Sequence, residues 1–145
     1  MTTRRVFLFE YLSACPQDGS DAGLLAEGLA MRDALQRDLA AVPGVVVSVA
    51  EPGLLPRPVG ERELAIAVIS RLALQARRHD LVWGIAPETG GLLAALHDAV
   101  PPHQWIGCNG TAIRLATSKQ ATLACLHAHG IATPLDFAAE PRVRH

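Results

Sequence analysis

The sequence predicts an α/β protein in three layers, with an open parallel sheet of about four strands between covering helices. Three observations lead there. Short runs rich in β-formers alternate with longer helical stretches along the whole chain, which favours parallel strands joined by right-handed crossovers. Half of the residues are hydrophobic but only 4% are aromatic, so the core must be built from Leu, Val, Ile and Ala, as in buried strands and Ala-rich helices. A chain of 145 residues also suits one domain, long enough to bury a core between a sheet and its helices.

Residues 5–11 (Arg-Val-Phe-Leu-Phe-Glu-Tyr) are apolar at successive positions and read as strand one, covered on both faces. Residues 12–20 contain Pro16 and Gly19 and then offer Ser20 or Asp21 as N-cap of a long helix. Leu24, Gly28, Met31, Leu35, Leu39 and Val42 recur at three- or four-residue steps through it, which predicts one sheet-facing stripe. Pro43 and Gly44 end this helix, and the β-branched run 45–49 follows as strand two. The Pro- and Gly-interrupted stretch 51–60 reads as a surface loop.

A second helix is expected from Glu61 to Arg77, packing through Leu64, Val68, Leu72 and Gln75 or Ala76. Residues 80–85 read as strand three. Pro87 suits the first turn of a helix running to Asp98, where Glu88 complements the positive helix end. Pro101-Pro102 precede a short fourth strand at 104–106, and Gly107 to Gly110 form a turn. A short helix at 112–116 is followed by Thr117, placed as N-cap by Gln120 three residues on; a separate helix then covers 118–129 and ends at a left-handed Gly130.

Charge and cysteine usage exclude several classes. The 13 basic and 14 acidic residues are scattered and leave a formal net charge of −1, so there is no footprint for nucleic acid. Arg4-Arg5 and Arg77-Arg78-His79 are read as solvated flanks of strands. No apolar run is long enough for a bilayer, and the N-terminus leads directly into a strand, so no membrane partner and a cytoplasmic location are expected. Cys15, Cys108 and Cys125 are far apart and odd in number, as idle thiols of a reducing compartment would be. His127 and His129 lie about 200° apart around a helix and cannot converge on one metal.

Ligands of parallel sheets gather at the carboxyl ends of the strands. These ends are Glu10 to Ser13, Ala50-Glu51, Ala86 to Thr89, and Gly107 to Asn109. Glu10 and Glu88 could face one cleft and hold a substrate ammonium by charge-assisted hydrogen bonds. Thr89 and Asn109 join them as substrate-side candidates, with helix capping as their ordinary role, and Gly90-Gly91 would let a ligand approach the backbone. There is no Lys-Ser or Lys-Thr after the glycines at a Walker A step, no Gly-x-Gly-x-x-Gly after strand one and no Gly-x-Ser-x-Gly elbow.

The most specific segment runs from Ala116 to Pro134. Ser118-Lys119 opens a helix, Thr122 and Leu126 lie within it, and Gly130-Ile131-Ala132-Thr133-Pro134 ends it. This resembles the lead-in to the ATP-binding part of ATP-grasp enzymes, although Ser118 stands where many members have Asp. The resemblance implies that Lys119 contacts ATP phosphate; independently, an ammonium on a first helical turn adds to the positive helix end.

Phe9-Glu10-Tyr11, Glu27-Gly28 with Met31, Ala86 to Thr89 and Gly91-Leu92-Leu93 extend the likeness over nearly the whole chain. Together they resemble the tyramine–glutamate ligases of methanofuran-type cofactor biosynthesis and their bacterial relatives. That implies a Rossmann-like pre-ATP-grasp domain at residues 1–134, with 135–145 beginning a linker or strand toward a further ATP-grasp domain, in cis or in trans. It also implies ATP and Mg²⁺ as cofactors, small-molecule amine and amino-acid substrates, and amide formation through an acyl phosphate.

The Mg²⁺ ligands and the clamp on the phosphoryl group would lie in that further domain, so this chain alone is expected to be inactive. An apolar edge from Ile131 to Phe137 should then be exposed. Oligomeric state stays open between monomer and homodimer. The rival from another class is a free-standing, non-catalytic binding module that kept the fold. A flavodoxin-like regulatory domain ranks last, because Glu10 and Glu88 occupy the places where a phosphorylatable Asp would be needed.

Overall fold

The computed structural model describes residues 2–15, 22–52 and 61–133. The elements in order are β1 (Arg4–Glu10), α1 (Tyr11–Ala14), α2 (Ala22–Ala40), β2 (Val45–Val49), α3 (Glu61–Ala76), β3 (Leu81–Ile85), α4 (Leu92–Asp98), β4 (Trp105–Ile106), α5 (Gly110–Thr117) and α6 (Lys119–Ala128). The four strands pair in parallel in the order β2-β1-β3-β4. The fold is α/β with a parallel sheet flanked by helices, as the alternation of the sequence predicts.

Strand register assigns the faces. Phe7 pairs with Val82 and Phe9 with Gly84, so these positions share a face, while Val6, Leu8 and Glu10 alternate to the other. On the first face Phe7, Phe9 and Val82 pack with Leu64, Val68, Leu72 and Ala76 of α3 and with Leu96 of α4, forming the main core. The predicted α3 stripe is therefore the buried one. Its four-residue spacing places one apolar side chain per turn over the sheet. The opposite face meets α2, which packs on β1 and β2.

Along α2 the phase differs from the one the sequence suggests. Leu24, Met31 and Val42 are exposed, whereas Leu25, Gly28, Leu29, Arg32, Leu35, Gln36 and Leu39 turn inward. This helix is rich in Ala and Leu around much of its circumference, so periodicity alone picks no unique face. The contact between Gly28 and Glu10 sets the phase.

Other boundaries shift for local reasons. Strand one stops at Glu10, and Tyr11 opens a one-turn helix because the Glu10 carboxylate caps it. The helix expected from Pro87 starts only at Leu92: a tight 3-10 turn at Thr89–Gly91 precedes it, with Gly90 at φ 65 and Gly91 at φ 73. Two successive residues in the left-handed region cannot continue a right-handed helix. Ser118, not Thr117, caps α6, accepting from the Ala121 N–H, while Thr117 Oγ1 donates back to the Ile113 carbonyl. Gly130 closes α6 with φ 73, as expected.

Gly84 has a different purpose, since the Trp105 ring lies over it and a Cβ there would come within 2.6 Å of Cη2. Asp80 ties the start of β1 to the start of β3. It accepts from the Arg5 N–H at 2.7 Å, and its own N–H donates to the Arg5 carbonyl. Among the described residues no helix is long and apolar enough to cross a membrane. The loop ascribed to 51–60 lies outside the described residues beyond Pro52, as do the Ser20 and Asp21 caps and all of 134–145 with the linker and the Pro134 ending assigned there. Within the apolar edge expected at 131–137, Ile131 is exposed and Thr133 buried.

Candidate functional site at the strand ends

At the carboxyl ends of β1 and β3, on the α3 side of the sheet, lies a half-open cleft of about 530 Å³. Leu64, Ala65 and Leu92 give it an apolar floor. Tyr11, Pro87, Thr89 and Gly90 form the strand-end wall, and Arg62 on the first turn of α3 brings a positive charge. Each element is placed by the strand order: β1 delivers Tyr11, β3 delivers Pro87 and Thr89, and the crossover from β2 to β3 lays the start of α3 across both.

The five residues singled out from sequence are not gathered in one place. Glu10 is buried, 2% exposed. Its Oε1 accepts from the Leu12 N–H at 3.0 Å and its Oε2 from the Ser13 N–H at 2.7 Å; Ser13 Oγ donates to the Glu10 carbonyl. Strand alternation puts this carboxylate on the α2 face, against Gly28, and not beside Glu88. The expectation that Glu10 and Glu88 face one cleft is thereby corrected.

Glu88 is exposed, makes no side-chain capping bond, and lies between two residues that line the cleft. Thr89 lines the cleft itself. Asn109 caps α5 by accepting from the Ala112 N–H at 2.9 Å. Lys119 is exposed in the first turn of α6 and has no ion pair among the described residues. Contacts run from the Thr89–Gly91 turn to α5, and from α5 to α6. Asn109 and Lys119 are thus linked to the cleft through one packed helix.

Arg62 escaped notice in the sequence, and Tyr11 was noted only as part of the strand-one end and not as a cleft residue. Arg62 sits in no motif, and only the pairing of β1 between β2 and β3 brings it together with Tyr11.

Two further groups outside the cleft lining have altered acidity. Burial pushes the Cys15 thiol up to about 11, with the nearby Glu10 adding to the rise and Arg71 opposing it. Asp98 is held below its ordinary value, chiefly by its hydrogen bond with His97 at 3.0 Å, and Arg114 assists. His97 in turn meets the Trp105 ring edge-on, with centroids 5.4 Å apart. Among the described residues no three His, Cys, Asp or Glu side chains assemble as a metal site.

Comparisons with curated proteins and with solved structures found no match. Residues 56–113, less than half of the chain but including every lining residue of the cleft except Tyr11, match the family model of the pre ATP-grasp 3 domain.

Proposed function

We propose that this chain is the N-terminal, substrate-positioning domain of an ATP-grasp carboxylate–amine ligase, which joins an amine such as tyramine to an amino acid such as glutamate. The match of residues 56–113 to the pre ATP-grasp 3 domain carries the reading. The parallel sheet with a cleft at its strand ends supports it, because substrates of such sheets collect there.

In this reading ATP, bound with Mg²⁺ largely by a further domain in cis or in trans, would supply the phosphoryl group that converts the carboxylate to an acyl phosphate. Lys119 fits a phosphate contact. It is exposed, unpaired among the described residues, and sits on the first turn of a helix whose N-cap oxygen Ser118 leaves neighbouring N–H groups free. Thr89 contributes a hydroxyl to the cleft, and Glu88 beside it offers a carboxylate to the incoming ammonium. Asn109 acts by fixing α5 against the Thr89–Gly91 turn. Glu10, with both oxygens engaged by backbone N–H groups, positions Tyr11 at the strand end.

The test is an assay of the protein expressed from its complete reading frame, with ATP, Mg²⁺, an amine and a carboxylate. ADP release should require the carboxylate, and added hydroxylamine should trap a hydroxamate. Lys119→Ala should raise KM for ATP about tenfold, the order expected for one lost charge-assisted hydrogen bond. ADP release indifferent to the carboxylate, or no hydroxamate under turnover, would count against the ligase.

A further inference from the structure

We infer that the strand-end cleft binds the carboxylate of a small acid through Arg62, with the acid's apolar body resting on Leu64 and Leu92. Arg62 is the sole charged side chain among the described residues that line the cleft. Arg62, like Arg4, Arg71, Arg77 and Arg78 and unlike Arg5, Arg32, Arg37 and Arg114, has no ion pair among the described residues, and of these unpaired arginines it is the one that lines the cleft. Among the described residues its guanidinium is therefore an uncommitted planar fork of donors, the geometry that suits two carboxylate oxygens.

The surroundings reinforce the choice of charge. The floor of Leu64, Ala65 and Leu92 is apolar, and low-dielectric walls concentrate the field of a single cation. A volume of about 530 Å³ lies within the range of small-molecule sites. An ammonium placed at Arg62 itself would meet like charge, so in the ligase the amine enters by another side, and the Glu88 carboxylate outside the lining offers that route to it. The inference rests on the ligase reading only for the fate of the acid, not for the charge preference of the cleft.

The experiment is a titration of the isotope-labelled chain with phenylacetate, phenethylamine and phenethyl alcohol, without ATP, followed at the backbone amides of Thr89, Gly90 and Leu92. Phenylacetate should bind about tenfold tighter than the other two. Arg62→Ala should level the three, and Arg62→Lys should keep part of the preference. Because Arg62 is exposed, neither variant threatens the fold. Equal or tighter binding of the amine, an acid affinity unmoved by Arg62→Ala, or shifts at none of these amides with any of the three would overturn the assignment. Loss of ATP-dependent amide formation would leave these binding results untouched, so the two readings fail separately.

Discussion

The Glu10 carboxylate lies directly against Gly28, so closely that a Cβ on residue 28 would stand 2.7 Å from Oε2. This pair joins the end of the central strand to the packing face of α2, and it explains why the least helix-favouring residue short of proline sits within a 19-residue helix.

Gly28→Ala should therefore destabilise the protein by about 1–2 kcal/mol in urea denaturation, the usual cost of a methyl group forced into packed space. At an ordinary helix position the same change gains up to about 1 kcal/mol. Glu10→Ala should itself cost about 1–3 kcal/mol, because the Leu12 and Ser13 N–H groups lose their acceptor. In the Glu10→Ala background Gly28→Ala should become neutral or stabilising. Additive costs in that double-mutant cycle would dismiss the steric coupling.

Gly84→Ala should tip the Trp105 ring, which a Cβ would meet at 2.6 Å. The expected cost is about 1–3 kcal/mol. Near-ultraviolet circular dichroism should change, and the His97 ring protons should lose the ring-current shift that the edge-on contact produces. Unaltered His97 resonances would show that the ring has room to spare.

Cys15 should be the last thiol to react. Its thiolate is disfavoured by burial, so alkylation at mildly alkaline pH should modify exposed Cys108 well before Cys15. A raised folded value also means that the unfolded chain gives up this proton first. Stability from this group is complete below its ordinary value of 9.0 and is lost as pH climbs toward about 11. Replacing Cys15 by Ala should remove that alkaline slope, which pH-dependent denaturation would read.

Asp80 should titrate below its ordinary value of 3.8, foremost because it accepts the Arg5 backbone N–H. A depressed folded value contributes stability above the unfolded value and loses it as pH falls through the folded one. The stability gap between the wild type and Asp80→Asn should therefore be present at neutral pH and close in acid. A carboxyl titration by NMR with a midpoint at or above 3.8 would contradict this.

Where one apolar stripe dominates an element, the sequence was enough. Leu64, Val68, Leu72 and Ala76 recur every four residues and are the buried positions of α3, and the β-branched run of β2 pairs as a strand. The left-handed Gly130 was equally legible, because glycine just past a helix is the residue that most readily adopts the left-handed conformation that closes it. The start of α4 was not, since Pro87 and Glu88 carry helix-opening signals that the two left-handed glycines override.

By itself the sequence determined the class of the fold and the number and order of its main elements. These follow from local periodicity and turn chemistry, which act over a few residues. Tertiary structure alone decided which side of α2 is buried, that Glu10 turns to the α2 face as a cap, and that Tyr11, Arg62 and Thr89 share one cleft. A pattern reports that an element has faces, but what each face meets depends on strand register and order, which bring together residues far apart in the chain.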